Sequence, residues 1–395
     1  MSAGPTLGQI LRAVVRGTCA PTLRLSPYHW KVLRALAACR TAALGGQLFY
    51  CPACQREHFV AHSCRNRHCP QCQGERALDW LAQQEAALLP IPYFHLVFTL
   101  PHVLNPLIRQ NRRELFNLLF AAASQTLMEF GRQRLKAQIG ITAVLHTWSQ
   151  TLLDHYHLHC IVSGGGLALD GSRWVRTPTY FLFPVPALSR MFRGKFLAGF
   201  KTLYDTGKLQ FHGQLQPLAP APEFARLLRS VCEHHWTVYA KRPFAGPQAV
   251  LKYLSNYTHR VAISNRRLLE ADAQSVTFSY KDYAQGARRK TMTLEVAQFV
   301  RRFCLHLLPE RFVKIRHYGL LGNRRRSERL QRVRTLLGVC APPPDLAGEP
   351  EPKTSLALES PTRPCCPSCH RPTLVLLRQV PALRPTRTPP VLDSS

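Results

Sequence analysis

Apolar and polar residues recur with two different periods along the chain, which predicts a mixture of helices and strands. A helical pattern follows Ser26-Pro27 and runs through Ala38, and further helical patterns cover residues 104–138, 184–205, 295–308 and 324–337. Short apolar runs predict strands at 93–100, 141–149 and 156–162, and residues 275–281 and 288–294 predict a hairpin. The triplet Gly164-Gly165-Gly166 is expected to form a turn. The mixture predicts an α+β fold.

Breaks in these patterns divide the chain into four predicted parts. Residues 1–90 form a unit dense in cysteine and histidine, and residues 91–340 form the main α+β domain. Residues 341–364 are rich in proline, glutamate and serine, which is typical of a linker. Residues 365–395 combine a small cysteine-bearing knob with a Pro-rich tail that we expect to be disordered.

The charge balance changes this picture from an ordinary α+β protein to one that binds a polyanion. The 395 residues include 52 Lys+Arg against 22 Asp+Glu, a net charge of +30. Such basicity favours nucleic acid or an anionic membrane as partner. No window reaches about 18 uninterrupted apolar residues, so we expect no membrane span. The first residues lack the pattern of a secretory signal, so we expect a cytoplasmic protein, in the bacterial cytoplasm or nucleoid.

The chain has 14 cysteines, and their spacing favours metal binding over disulfides. Cys51-Pro52-Ala53-Cys54 and Cys69-Pro70-Gln71-Cys72 are two CxxC sequences. Because Zn²⁺ prefers four soft ligands in a tetrahedron, we expect these four thiols to share one ion, the alternative being reduced structural cysteines. Near the C-terminus, Cys366-Pro367-Ser368-Cys369 is half of such a site, with Cys340 as a possible contributor.

A second zinc ion is predicted from residues near the two N-terminal CxxC sequences. Its candidate ligands are Cys39, Cys64 and His68, which would otherwise be small buried residues and a polar histidine. Arg65 and Arg67 lie in the same stretch. A zinc module that carries arginines is typical of nucleic-acid binding, so both arginines are predicted to contact DNA.

A histidine-rich strand is the second place where the sequence suggests chemistry. In the run from His155 to His159 the imidazoles alternate, so His157 and His159 project from one face. Together they either hold a divalent ion with positions open for substrate oxygens, or form an ordinary polar face.

Two tyrosines on a predicted helix could use such an ion. Tyr253 and Tyr257 are four residues apart and share one helix face. Aromatic residues at this spacing usually belong to a core, but these lie among cations, namely Lys252, Arg260 and Arg266. A phenol with a pKa of about 10 is a weak nucleophile, so attack on a phosphodiester would need a metal ion at the phosphate.

These segments together resemble a known family. HYHLHCIVSGGG at 155–166 resembles the HUH histidine motif, and YLSNYTHR at 253–260 resembles the two-tyrosine motif. SCRNRHCPQCQ at 63–73, YFHLVFTLP at 93–101 and IRHYGLLGNRRR at 315–326 extend the resemblance over about residues 25–340. The chain resembles transposases of the insertion sequence 91 family, which move by rolling-circle replication.

The resemblance implies an HUH-type nuclease core with an antiparallel sheet and flanking helices, behind an N-terminal zinc-binding module. It implies that Tyr253 and Tyr257 are the nucleophiles and that His157 and His159 bind Mg²⁺ or Mn²⁺. Gln150 is our candidate for a third ligand, with Asn256 and His155 as rivals. Tyr156 departs from the proline that the family usually has at this position.

The resemblance further implies a DNA transposase that nicks and joins single strands through a 5′-phosphotyrosine. Its partners would be the element's termini, as single strands or hairpins, the target DNA and host replication proteins. Lys252, Arg260 and Arg266 would neutralise phosphate charge. Three other readings stay open: a non-enzymatic zinc-dependent DNA-binding protein, an RNA-binding zinc protein, and a plasmid-type replication initiator.

Overall fold

The computed structural model describes residues 4–74, 88–178, 182–241, 249–250, 261–339 and 364–383. Its α-helices are α1 (Leu7–Val15), α2 (Pro27–Ala37), α3 (Asn105–Gln110), α4 (Arg112–Phe130), α5 (Val185–Asp205), α6 (Ala221–Glu233), α7 (Val296–Cys304) and α8 (Arg326–Leu336). Its strands are β1 (Gly46–Cys51), β2 (Arg56–Ala61), β3 (Tyr93–Thr99), β4 (Ala137–Trp148), β5 (Asp154–Ala168), β6 (Trp174–Arg176), β7 (Val238–Lys241), β8 (Leu268–Ala271), β9 (Ser275–Asp282), β10 (Arg288–Glu295), β11 (Ile315–Gly319) and β12 (Val375–Val380).

A six-stranded antiparallel sheet forms the centre of the molecule. Five strands follow the order β11-β4-β5-β3-β7, and β6 pairs with the far end of β5. The longest strands, β4 and β5, lie in the middle, so β5 has a neighbour along both edges. The α+β fold with an antiparallel sheet and flanking helices is therefore confirmed.

A layer of helices covers one face of this sheet. Helix α5 places Phe192, Phe196 and Phe200 at intervals of four residues, so the three rings form one fully buried stripe. Phe192 and Phe196 each pack with Trp236 at centroid distances of 5.3 Å. The stripe joins α4 and the inward residues of β3, β4 and β5 in one apolar core. None of the helices that the structure describes is long and apolar enough to span a bilayer.

The predicted turn at Gly164-Gly165-Gly166 is wrong, because β5 continues through all three glycines. The reason is crowding by neighbouring chain segments. A Cβ at Gly164 would lie 2.7 Å from the Pro92 carbonyl oxygen, and one at Gly165 would lie 2.5 Å from that of Val175. Glycine here permits a close approach of backbones, which sequence alone does not distinguish from a turn.

The smaller sheet β10-β9-β8 packs with the first two helices of the chain. The predicted hairpin is confirmed as β9 and β10, paired from Arg288 opposite Asp282 to Glu295 opposite Ser275. The Leu7 amide donates to Asn265 Oδ1 at 3.0 Å, and the Tyr28 hydroxyl donates to the Leu308 carbonyl at 2.6 Å. The boundary at residue 90 stays a prediction, and an apolar core crosses it.

The third sheet joins the two ends of the chain in the order β12-β1-β2. Strand β12 pairs antiparallel with β1, from Gly46 opposite Val380 to Tyr50 opposite Val375. The cysteine-bearing knob therefore docks on the N-terminal unit. The predicted linker at 341–364 falls almost wholly outside the described residues, as does the end of the predicted tail.

We expect Leu188→Ala to lower the free energy of unfolding by about 2–5 kcal/mol, because it opens a cavity among well-packed side chains. Leu188 is 0% exposed in the core under the sheet. Leu169→Ala is the matched control, since Leu169 is 61% exposed. Urea denaturation of both variants measures the difference. Equal stabilities would contradict the packing described here.

His306 should make stability depend on pH. Its Nε2–H donates to the Leu152 carbonyl at 3.1 Å, and its Nδ1 faces the Thr147 hydroxyl at 3.3 Å. Burial lowers the pKa of His306 from 6.5 to about 4. The unfolded chain therefore binds the proton more tightly, so this contribution to stability is present above about pH 6.5 and is lost as the pH falls towards 4.

Lowering the pH from about 7 to about 5 should therefore reduce the free energy of unfolding by about 2 kcal/mol through this histidine. His306→Gln removes the titrating ring, so its unfolding free energy should fall less over that range than that of the wild type. His212→Gln, at an exposed histidine, is the control. Identical pH dependence of the wild type and His306→Gln would refute this role.

Candidate functional site

The central strand β5 presents different chemistry on its two faces. Tyr156 and Leu158 point into the helix layer and are 0% exposed, with the Tyr156 ring 5.4 Å from that of Phe116. His157 and His159 therefore point to the opposite face, as alternation along a strand requires. Tyr156 is a core residue and leaves the histidine face intact.

Three imidazoles converge on that face. His146 on β4 lies directly opposite His157 in the antiparallel register. One ring nitrogen from each of His146, His157 and His159 lies within 4.8 Å of the others, which is the arrangement expected of metal ligands. His146 and His157 are buried, at 3% and 8% exposure.

The orientation of the rings suits a divalent ion. His157 Nδ1 lies 2.8 Å from the carbonyl oxygen of His155, which can only accept, so His157 donates there and its Nε2 keeps a free lone pair. That Nε2 lies 3.1 Å from Nε2 of His159. Adjacent ligands at about 2.1 Å from an octahedral ion are about 3.0 Å apart. The spacing of the two nitrogens therefore fits Mg²⁺ or Mn²⁺.

A further histidine contacts one of these three rings at the nitrogen that points away from the other two. His95 on β3 faces His159 Nδ1 through Nε2 at 2.9 Å, with the two rings stacked. The rival ligand His155, which also lines the cavity, has its Nδ1 3.0 Å from Nε2 of His102. A partner on the outer nitrogen fixes the orientation of a ligating imidazole.

Burial keeps His157 and His95 in the neutral form of imidazole, which is the form that binds metal. It lowers the pKa of His157 to about 3. It also lowers the pKa of His95 to about 4, and the Lys241 charge acts in the same direction. At neutral pH both rings are therefore uncharged, so His157 can bind a metal ion without first releasing a proton.

Gln150 shares the cavity with the three histidines, and its side-chain oxygen contacts a backbone amide of the cavity wall instead of converging with the imidazoles in a described contact. The cavity holds about 420 Å³, and Gln150, Lys281 and Tyr283 line it together with His146, His157 and His159. Gln150 Oε1 faces the Lys281 amide at 3.5 Å. His146, which sequence reasoning missed, is therefore the better candidate for the third ligand. The sequence contains only a partial signal, because LHTW at 145–148 places His146 near the end of the predicted strand that precedes the histidine strand, without fixing which residue lies opposite it.

Both predicted nucleophiles, Tyr253 and Tyr257, lie outside the described residues, as do Lys252, Arg260 and the rival ligand Asn256. Their described neighbours lie beside the histidines. Strand β7 ends at Lys241, directly opposite His95. Val250 belongs to the apolar cluster that contains Tyr93 and Ile161, two residues on the histidine face of the sheet. The described residues that precede the two tyrosines in sequence therefore lie on or beside the sheet face that carries the histidines.

The N-terminal thiols form two clusters rather than one. The prediction that Cys51, Cys54, Cys69 and Cys72 share one ion is therefore wrong as a grouping. Cys69 and Cys72 instead lie with Cys39 and Cys64, all four sulfurs within 4.8 Å of one another. Three of these Sγ–Sγ distances are 3.5–3.6 Å. Sulfurs at about 2.3 Å from a tetrahedral zinc are about 3.8 Å apart, so the cluster fits one ion.

His68 does not join this group of thiols. It is 8% exposed, and its Nε2 has no hydrogen-bond partner among the described residues.

Cys51 and Cys54 lie in a separate cluster with Cys366 and Cys369. The two pairs are more than three hundred residues apart in sequence, with Cys54 and Cys366 separated by 312 positions.

The described arginines of the predicted DNA interface differ in their surroundings. Arg65 and Arg266 are exposed and available to a polyanion. The Arg67 guanidinium donates to the carbonyl of Phe312 and is only partly exposed. Arg67 therefore links the N-terminal module to the main domain, and its predicted DNA contact stays untested.

Comparison with known proteins agrees with this architecture. Residues 140–329 match the sequence model of a family described as "Putative transposase", and residues 10–100 match one described as "Transposase zinc-binding domain". "Putative transposase y4qJ" of Sinorhizobium fredii is 42% identical over 379 residues, which cover 95% of each chain. "Transposase for insertion sequence element IS801" of Pseudomonas savastanoi pv. phaseolicola is 29% identical over 78% of this chain and 74% of its own. No solved structure matches the chain.

These matches and the fold define a transposase with an N-terminal zinc-binding domain. The chain belongs to the insertion sequence 91 family of transposases. The resemblance drawn from its histidine and tyrosine motifs is thereby confirmed at the level of the family.

We expect His146→Ala to weaken Mn²⁺ binding at least about tenfold, because it removes one of three converging imidazoles. Gln150→Ala should leave the affinity nearly unchanged. Titration followed by the electron paramagnetic resonance of free Mn²⁺ measures both dissociation constants. If Gln150→Ala weakened Mn²⁺ binding more than His146→Ala does, Gln150 would again be the better candidate for the third ligand.

Proposed function

We propose that this transposase nicks and rejoins single DNA strands through a 5′-phosphotyrosine, as in rolling-circle transposition. His157 and His159, with His146, would hold a Mg²⁺ or Mn²⁺ ion. The observation that carries the proposal is the convergence of these imidazoles on the sheet face where Val250 packs, three residues before Tyr253. Family membership supports a DNA-cleaving enzyme.

The proposed chemistry is a transesterification at one phosphodiester. The phenol oxygen of Tyr253 or Tyr257 forms a bond to phosphorus as the bond to the 3′ oxygen breaks. The phenolic proton is lost and the leaving 3′ oxygen gains one, so a free 3′ hydroxyl remains. A divalent ion held by the histidines would supply positive charge at the scissile phosphate. The ester to tyrosine conserves the bond energy, so attack by a 3′ hydroxyl can rejoin the strand.

Basic residues of the N-terminal module and of the main domain would hold the substrate. The net charge of +30 favours DNA as the partner. Exposed Arg65 and Arg266 would contact phosphates, together with Lys252 and Arg260. The substrates would be the element's termini, as single strands or hairpins, and the target DNA. Host replication proteins would extend the freed 3′ end.

Zinc is assigned a structural role in this proposal. Cys39, Cys64, Cys69 and Cys72 would hold one ion in the N-terminal module. An ion bound by four thiolates can fold a short module that has little apolar core of its own. The module would thereby present Arg65 to DNA in a fixed orientation.

We expect the double variant Tyr253→Phe with Tyr257→Phe to form no covalent adduct with single-stranded DNA from the element's terminus. The wild type should form one with Mg²⁺ or Mn²⁺ added and none without. Denaturing gels detect the adduct. Because chelators also remove zinc, the catalytic ion should be omitted rather than chelated, and the zinc content checked.

Tyr283→Phe is the matched control, since Tyr283 is 68% exposed and lines the histidine cavity. It should retain the adduct. An adduct that persists in the double variant but disappears in Tyr283→Phe would assign the nucleophile to Tyr283. DNA binding without any ion-dependent nicking would instead favour a non-enzymatic DNA-binding protein.

A further inference from the structure

Two short cysteine loops from opposite ends of the chain face each other beside the sheet β12-β1-β2. Cys51 and Cys54 follow from β1, Cys366 and Cys369 precede β12, and their four sulfurs lie within 4.8 Å of one another. We propose that these four thiolates bind a second zinc ion, which fastens the C-terminal strand to the N-terminal module. The inference does not depend on the proposed strand-transfer chemistry.

The sulfur positions fit a metal site better than a pair of disulfides. Cys51 Sγ lies 3.6 Å from Cys369 Sγ, and Cys54 Sγ lies 3.6 Å from Cys366 Sγ. Sulfurs at the corners of a zinc tetrahedron are about 3.8 Å apart, whereas a disulfide bond is about 2.05 Å long. Both close pairs join one loop to the other, as ligands of a shared ion require.

The two loops also have the same backbone conformation. Gln55, directly after Cys54, has φ 56°, and His370, directly after Cys369, has φ 59°. The Gln55 amide donates to the Cys51 carbonyl and the His370 amide to the Cys366 carbonyl, both at 2.8 Å. The two loops are therefore equivalent halves of one site.

The Cys69 loop differs, because it opens a helix. The residues after Cys69, from position 70 to 74, are helical, and the Gln73 amide donates to the Cys69 carbonyl at 3.1 Å. The Cys51 loop therefore matches the distant Cys366 loop in backbone conformation and differs from its neighbour in sequence.

Groups around the four sulfurs are suited to stabilise thiolates. Thr373 Oγ1 lies 3.1 Å from Cys51 Sγ, and His58 Nε2 lies 3.2 Å from Cys366 Sγ. Donors of this kind, outside the ligands themselves, support charged sulfurs. Cys51 and Cys366 are 0% and 1% exposed and share a small apolar cluster with Leu374.

Apolar burial does not account for the attachment of β12. The side chains of Val375, Leu376 and Leu377 are 40%, 45% and 49% exposed. An edge strand that buries so little apolar surface is weakly held by hydrogen bonds alone. A zinc ion shared by the two loops supplies the missing constraint.

The test uses the full chain, purified under reducing conditions without chelator, with zinc per chain measured by mass spectrometry. We expect two ions in the wild type and one in Cys369→Ala. Cys365→Ala is the matched control and should keep both, because Cys365 is exposed and outside the cluster. Cys369→His, which restores a zinc ligand at the same position, should regain the second ion.

Limited trypsin digestion supplies an independent readout. Cleavage after Arg378 within β12 should be faster in Cys369→Ala than in Cys365→Ala, because the strand loses its anchor. The proposal is overturned if Cys369→Ala keeps the wild-type zinc content, or if the wild type binds a single ion. Loss of both ions that Cys369→His does not reverse would also reject it, since a general collapse of the module would then explain the loss.

Discussion

The antiparallel pairing of β5 with β4 and β3 is the constraint on which the candidate site depends. It places His146 opposite His157, and Val97 opposite His159. A slip of one residue would turn every side chain of a strand to the other face. The register is fixed on the opposite face, where Leu145 and Leu158 are 0% exposed in the main core. Hydrophobic burial on one face of the sheet thus determines the placement of the histidines on the other.

Local patterns in the sequence predicted the strands of this sheet well. They predicted less well which residues of distant segments lie together. The alternation around His157 and His159 identified both the strand and its polar face. Predicting that His146 lies opposite His157 requires the register between two strands, and no local periodicity in the sequence contains that information. The cysteines show the same limit, because Cys54 and Cys366 are 312 positions apart and spacing alone favoured the nearer Cys69 loop. Long-range pairing is decided by how elements pack.

The N-terminal zinc module and the main domain are joined by more than a linker. Helices α1 and α2 share an apolar core with β9 and α7, and Arg67 donates to the Phe312 carbonyl. Phe312 packs in turn against Phe116 at a centroid distance of 5.7 Å. Side chains on both sides of the expected boundary at residue 90 are therefore buried together. DNA held by the module would be held at a fixed orientation to the histidine face.

The reach of the backbone limits where the two tyrosines can lie. A chain extends by at most about 3.6 Å per residue, so the Cα of Tyr253 stays within about 11 Å of that of Val250. By the same limit, Tyr257 stays within about 14 Å of Val261. Val250 packs on the histidine face, and Val261 lines a cavity that also contains Trp148, whose ring stacks on His146 at 4.7 Å. The described residues that flank the two tyrosines in sequence therefore lie near the histidine face or near Trp148, which is compatible with the proposed metal-assisted attack on a phosphate.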